Sequence, residues 1–350
     1  MRVVVVGASG NVGTSLLQAL AGEPAVNEVV GLCRRLPGEP FEKVEWRAAD
    51  VTADDLAPHF QGADAVVHLA WLIQPGRDKA QLRRVNVDGS ARVFTAAARA
   101  GVPALVYASS VGAYSPGPKD RRVDESWPTE GIGSSFYAAH KAEVERLLDA
   151  HEREHPGMRV VRLRPGLIFK REAGSEIRRL FAGPFLPNGL VRPGLIPLVP
   201  AARRLRFQAV HSLDVAEAYR LAVVNEVRGA FNVAAEPVLD SSELARLLGA
   251  RPVQVPPRLL RAGAALSYRL RLQPTEPGWV DMGLSVPLMD TRRAREQLGW
   301  SPRHKAGEAL LELLEGMRQG AGIDTPPLEA GGKGLLRARE LLGGVGSRRG

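Results

Sequence analysis

The sequence predicts an α/β fold built on a doubly wound parallel sheet, with a smaller, mostly helical region on its C-terminal side. Short apolar runs alternate with helical patterns through the first half of the 350 residues, and after Pro165 the texture breaks into loop-rich, proline-jointed chain. A third observation is the turn after the first run. Gly7, Gly10 and Gly13 lie spaced by three between the valines Val3 to Val6 and a helix-like stretch, where backbone N–H groups and a positive dipole end suit an anion. The spacing is not G-x-G-x-x-G, so taken alone it leaves a purely structural turn open.

The elements follow in order. Val3 to Val6 is β-branched and apolar on both faces, as a strand inside a parallel sheet should be. A helix near Thr14 to Ala21 comes next, then strands at Glu28 to Leu32, Val44 to Arg47 and Ala65 to Leu69. A helix from Val85 to Ala100 leads to a strand at Ala104 to Ala108, and one from Phe136 to His151 leads to a strand at Arg159 to Leu163. A helix near Asp214 to Val224 and a strand at Ala230 to Val233 return to this layer. The expected division is a dinucleotide-binding unit over 1–168, completed by 207–236, a substrate-binding region over 169–206 and 237–320, and a flexible tail over 321–350 with a weak helical patch at Leu335 to Leu342.

Composition narrows the class. Hydrophobic residues make up 45% and charged residues 24%, which is ordinary for a globular protein. The single cysteine, Cys33, excludes an intramolecular disulfide and a cysteine-built metal site, so a reducing cytoplasm is the expected compartment. The opening valine run is too short for a signal-peptide core or a membrane span. A net charge of +9 raises nucleic acid as a partner, but the arginines are scattered and not interleaved with aromatics, so neither nucleic acid nor membrane is expected.

Several residues carry chemistry. Tyr137 and Lys141 stand four apart, hence on one face of a helix, where an ammonium favours the phenolate of a tyrosine acting in proton transfer; chance spacing stays open. Ser110 follows the Ala104 to Ala108 run at the ligand edge of the sheet, to hold a carbonyl or hydroxyl or to cap a turn, as Ser109 also would. The second strand runs out through Cys33, Arg34 and Arg35 with no carboxylate for a ribose 2′-hydroxyl; either arginine suits a 2′-phosphate, hence NADP over NAD, or stands as an ordinary solvated residue. His151-Glu152-Arg153-Glu154-His155 matches H-E-x-x-H, yet Pro156-Gly157 stops the helix at once and no metal set is expected. Arg203, Arg204 and Arg206 suit either a sugar-nucleotide diphosphate or an exposed basic loop.

Further ordered motifs join these: Asp50-Val51, His68-Leu69-Ala70, Asn86-Val87-Asp88-Gly89-Ser90, Ser110 four before Tyr114, Leu163-Arg164-Pro165-Gly166, Val210-His211-Ser212-Leu213-Asp214 and Leu298-Gly299-Trp300. In this order the chain, apart from its tail, resembles an extended short-chain dehydrogenase/reductase of the NAD-dependent epimerase/dehydratase group, with a Rossmann-like fold. The resemblance implies that Tyr137 is the acid/base, that Lys141 lowers its pKa and holds the nicotinamide ribose, and that Ser110 orients the reacting oxygen. It implies a cofactor contact for Gly7, Ser9, Gly10, Asn11, Val12, Gly13, Arg34, Asp50, Val51, Leu69, Ala70, Tyr137, Lys141 and Pro165. Asn86 is expected to fix the local structure, and Trp71 either narrows the pocket or packs away. Gly166 stands where sugar-nucleotide members often carry asparagine.

The expected activity is hydride exchange between NAD(P), with NADP preferred, and a secondary alcohol or ketone. Nucleotide sugars and apolar ketones such as steroids or terpenoids are both open as substrates, and a possible homodimer is implied by the family. The alternative is a non-catalytic NADP-binding sensor or scaffold.

Overall fold

The computed structural model describes residues 1–38, 40–73, 77–182 and 191–330. Seven strands form one parallel sheet: β1 (Arg2–Val6), β2 (Glu28–Cys33), β3 (Val44–Ala48), β4 (Ala65–His68), β5 (Ala104–Ala108), β6 (Arg159–Pro165) and β7 (Gly229–Val233). Their spatial order is β7-β6-β5-β4-β1-β2-β3, so the winding reverses between β1 and β4. Such a switch point opens a crevice at the carboxyl ends of the strands.

The valine run explains the doubly wound form. Val3 and Val5 pack with Leu16, Leu17 and Leu20 of α1 (Asn11–Ala21), whereas Val4 and Val6 join the opposite core with Val93 and Phe94 of α2 (Gly89–Arg99) and Val144 and Leu148 of α3 (Phe136–Glu154). Alternate side chains leave a strand on opposite faces, so a strand covered on both sides must be apolar throughout. A fourth helix, α4 (Ser212–Val224), lies beside α1 and buries Val215, Tyr219 and Ala222 in the first core.

Helix α1 begins at Asn11, directly after the glycine turn, three residues before the expected start. Before α2 the chain makes a wide turn over Arg84–Asp88 that aims Asn86 inward. There the Asn86 amide donates to Leu72 O (2.8 Å) and its oxygen accepts from Leu72 N (2.7 Å), which fixes the segment leaving β4.

The C-terminal side comprises α5 (Ser241–Leu248), α6 (Pro257–Arg269), α7 (Gly278–Ser285) and α8 (Ala306–Gln319). Its own core joins Phe169, Val191, Ala209 and Leu239 to Leu313 and Met317 of α8. The expected tail starts too early: over 321–330, Thr325 and Leu328 are buried and Arg179 donates to the carbonyls of Pro327 and Glu329. Two prolines, an aspartate and a glycine suggest loose chain, but Leu328 supplies an apolar anchor that composition alone hides. The remaining tail, with the patch at Leu335 to Leu342, lies outside the described residues.

Candidate active site

A cavity of about 690 Å³ runs along the carboxyl ends of the strands, from the turn after β2 to the helix pair α3 and α7. Its glycine end is set by sterics. Gly7 has φ +87° and an added Cβ would lie 2.6 Å from Ala70 N; at Gly13 it would lie 2.4 Å from Ala8 O. These two glycines let α1 and β4 close on the turn. At Gly10 the nearest atom is Gly7 O at 3.5 Å, so the middle glycine is not required by its own chain and leaves its side open.

Helix α1 has no side-chain cap and no acidic residue in its first turn. The unsatisfied N–H groups of that turn therefore meet the cavity wall formed by Asn11, Val12 and Gly13. The Asn11 carboxamide oxygen is buried without a partner, leaving that amide free to turn its N–H₂ towards an oxyanion. This is a surface that fits a pyrophosphate.

Beneath it lies a charge the motifs do not reveal. The buried Lys170 ammonium donates to Asn11 O (2.9 Å), Thr14 Oγ1 (2.8 Å) and Ser15 Oγ (3.1 Å), all on the first turns of α1. Burial pulls it down to about 8, against the opposing pull of Glu172 and Glu176. It is thus a buried amine hydrogen-bonded to oxygens of the first turns of α1, behind the N-terminus of the helix that faces the cavity.

At the end of β2, Cys33 is buried, its thiol pushed up by burial while Ser9 and the Arg35 carbonyl hydrogen-bond it. Arg34 and Arg35 line the cavity there, opposite Asp50 and Val51. Burial raises the Asp50 carboxyl, but hydrogen bonds from Thr52 and the nearby Arg34 and Arg92 outweigh it, so the net shift is downward.

At the other end stand Ser110, Tyr137 and Lys141, with Leu69, Ala70, Trp71 and Pro165 on the same wall. Of the two serines, Ser110 caps the turn, the alternative open for it, while staying against Tyr137, and Ser109 does not cap the turn. Ser110 Oγ accepts from Gly112 N (3.0 Å), capping the short turn after β5, and also hydrogen-bonds the Tyr137 phenol. Ser109 Oγ instead donates to Glu145 (2.5 Å). Burial raises the Tyr137 pKa, opposed only by that Ser110 bond, so the expected lowering by Lys141 is absent. The Lys141 ammonium is occupied elsewhere: it donates to Ala108 O (2.6 Å), lies 3.4 Å from the Trp71 ring centroid, and is itself pulled well down by burial against the attraction of Glu145. Trp71 narrows the pocket, edge-on to Tyr137 at 5.9 Å, and Trp279 of α7 tilts over the same phenol at 4.9 Å. Phe181, Leu180 and Met282 extend this aromatic and apolar wall.

Below the strand end lies a buried ion network. Arg164 donates from Nε and Nη2 to the two oxygens of Glu145 (2.8 and 3.0 Å), Arg162 adds a third bond (3.0 Å), and Arg164 also donates to the Tyr114 hydroxyl (3.1 Å). Burial alone would raise Glu145, but the guanidiniums and Ser109 hold it at about 2. Glu145 lies one helical turn beyond Lys141 on α3, so the network fixes both the helix and the serine pair.

Other candidates stay outside. Arg203, Arg204 and Arg206 do not line the cavity. Arg204 donates to Leu284 O (2.9 Å) and the neighbouring Lys119 to Gly283 O (2.9 Å), so this cluster caps the carboxyl end of α7. His151 is buried against Phe94, while the helix stops at Glu154 and His155 follows as its cap. His68 bonds Ser90 (2.9 Å) and is held at about 3 by burial and then by Lys141. Among the described residues no group of three or more His, Cys, Asp or Glu is placed to hold a metal.

The model of the NAD dependent epimerase/dehydratase family matches residues 3–234. The chain belongs to that family. An uncharacterized protein of Mycobacterium tuberculosis is 28% identical over 326 residues, 92% of this chain, which spans only 31% of that relative. The 4-hydroxy-2-methyl-3-oxo-4-farnesyl-3,4-dihydroquinoline-1-oxide ketoreductase of Stigmatella aurantiaca is 27% identical over 354 residues, covering 92% of this chain and 98% of the relative. The UDP-glucose 4-epimerase of Thermus thermophilus, solved with NAD, shares the fold with a TM-score of 0.67 at 24% identity, over 91% of this chain and 99% of that one.

Proposed function

We propose that this family member is an NADP(H)-dependent oxidoreductase exchanging a hydride with an apolar, ring-bearing or prenylated ketone or the corresponding secondary alcohol. The carrying observation is the wall around the Tyr137 phenol, made of Trp71, Trp279, Phe181, Leu180 and Met282. Among the described lining residues the basic ones are Arg34, Arg35 and Lys141, and none of these stands at that aromatic wall to neutralise a substrate diphosphate except the occupied Lys141. Any side chain at Gly166 would meet Gln208 O at 2.5 Å, so an asparagine does not fit there. The ketoreductase relative, whose substrate name carries a farnesyl chain and a fused ring, supports the same reading.

The proposed roles follow from the geometry. A bound nicotinamide dinucleotide supplies or accepts the hydride. The uncapped turn of α1 holds its pyrophosphate, Arg34 pairs with a 2′-phosphate, and Asp50, Val51, Leu69, Ala70 and Pro165 shape the adenosine and nicotinamide walls. Tyr137, kept protonated by burial, donates its proton to the carbonyl oxygen during reduction, and Ser110 orients that oxygen. Lys141, whose Nζ lies 5.9 Å from the Tyr137 ring centroid, would bind the nicotinamide ribose.

Purified protein should oxidise NADPH with polycyclic or prenylated ketones, use NADH less well, and leave UDP-sugars unchanged. Interconversion of a UDP-sugar without net NADPH consumption overturns the substrate reading. Tight dinucleotide binding with no turnover on either panel makes the chain a binding protein.

A further inference from the structure

The helix α6 (Pro257–Arg269) has no buried residue, although it ends beside the substrate wall. Its outward face is apolar. Leu259, Leu266 and Leu270 are 62%, 59% and 58% exposed, and their spacing of seven and four places them within a narrow arc of the helix. Leu272 continues the exposed apolar surface just beyond the helix. Arg258 and Arg269 fall at one edge of the leucine arc, while Arg261 turns inward to Asp281 of α7 (2.8 Å). From Arg251 to Leu272 the chain carries five arginines and no acidic residue.

We propose that α6 docks the protein on an anionic lipid surface, lying in the plane of the interface with its leucines among the acyl chains and its arginines at the headgroups. The charge pattern selects this occupant. An apolar stripe with arginines along one edge and no acidic residue from Arg251 to Leu272 complements a negatively charged headgroup layer, which attracts each nearby arginine and rewards each buried leucine. No helix among the described residues is long and apolar enough to cross a membrane, so the contact is interfacial. The position adds a consequence. Arg261 ties α6 to the helix carrying Trp279 and Met282, Thr275 Oγ1 donates to Phe181 O (2.7 Å), and Arg77 stacks 4.1 Å over Tyr268. Docking therefore sets the aromatic end of the cavity beside the lipid. The lipid contact stands on the helix surface alone and holds whatever the enzyme's substrate proves to be.

The test is co-sedimentation of the full chain with sucrose-loaded vesicles of phosphatidylcholine alone or mixed with phosphatidylglycerol, without turnover. The wild type should bind the anionic vesicles at least tenfold better than the neutral ones and lose most of that binding in high salt. Because the chain is basic overall, the deciding variant keeps its charge. Leu259→Ser, Leu266→Ser and Leu270→Ser combined should weaken anionic-vesicle binding at least tenfold, with dinucleotide affinity and thermal midpoint unchanged. Arg258→Gln with Arg269→Gln should weaken it by about fivefold per arginine. Equal binding of the triple-serine variant and the wild type overturns the proposal, as does no preference for anionic vesicles. Dimerisation abolished by the serine changes, in a protein that ignores vesicles, assigns the stripe to a second copy and likewise overturns it.

Discussion

The two ends of the cavity are built from different materials. The dinucleotide end is backbone: Gly7 and Gly13 are required by contacts at 2.6 and 2.4 Å, and an uncapped helix offers N–H groups. The other end is side chain, with Trp71 and Trp279 both packed against Tyr137 and an ion network below. On the proposed reading, backbone constraint would leave the first end tolerant of what is bound beyond a pyrophosphate, and the aromatic walls would select the substrate. Chemistry and recognition should therefore separate by mutation.

The sharpest separation is Tyr137→Phe. It removes the proposed proton donor and should lower kcat by about 10³-fold while the dinucleotide Kd stays within twofold. Steady-state kinetics beside a binding titration check this. A parallel loss of dinucleotide affinity would mean that the two ends are coupled through Tyr137 and that the contrast is false.

Next in size is Glu145→Gln, which attacks the foundation of the side-chain end. Buried Arg164 would lose its carboxylate while Arg162 keeps Asp149 and Glu152, at a cost of about 3 kcal/mol in denaturant unfolding. The pH dependence has a definite sign. Glu145 is held at about 2, below the ordinary 4.5, so its contribution is complete above about 4.5 and disappears as the pH falls through about 2. Wild-type stability should thus fall across that window, and the Gln variant should show a flatter acid limb.

A smaller effect is expected at Arg34. Loss of a charge-assisted contact to a 2′-phosphate in Arg34→Gln should weaken NADP binding by about 10-fold or more and leave NAD nearly unchanged. Equal loss for both dinucleotides would show that Arg34 does not read the phosphate, and the NADP preference would have to be abandoned.

The same contrast explains what the sequence could disclose. Strand positions were legible because β1 must be apolar on both faces, and the glycine turn because steric demand leaves so few residue types possible. The proposed site residues are all brought to one cavity. Roles that depend on which neighbour a flexible side chain chooses were not legible: Ser109 and Ser110 differ only in which turns to Glu145, and Lys141 selects Ala108 O over the phenol. Arg164 and Glu145 read as an ordinary strand arginine and helix glutamate, because nineteen positions of chain separate them and only β6 beside α3 brings them together. The buried Leu328 shows the same difficulty at the tail, where a single leucine among turn formers decides packing.

The smallest expected effect probes whether the backbone end is backbone alone. Lys170 sits behind the first turn of α1 with three hydrogen bonds and a value pulled down to about 8. A cation at that place adds to the positive end of the helix, worth about 1 kcal/mol, or roughly fivefold in dinucleotide affinity. Lys170→Met should weaken binding by that factor without changing kcat at saturation. The pH profile distinguishes charge from packing: wild-type affinity should fall as the pH rises through about 8 and the ammonium loses its proton, while the Met variant should show no such step. Stability moves in the opposite sense, because a lysine lowered from 10.5 to about 8 burdens the folded state when charged; that cost is complete below about 8 and is gone above 10.5. Affinity falling while stability rises over the same pH range would be the mark of a buried charge kept for its ligand, and a variant with unchanged affinity would return the dinucleotide end to glycine and backbone alone.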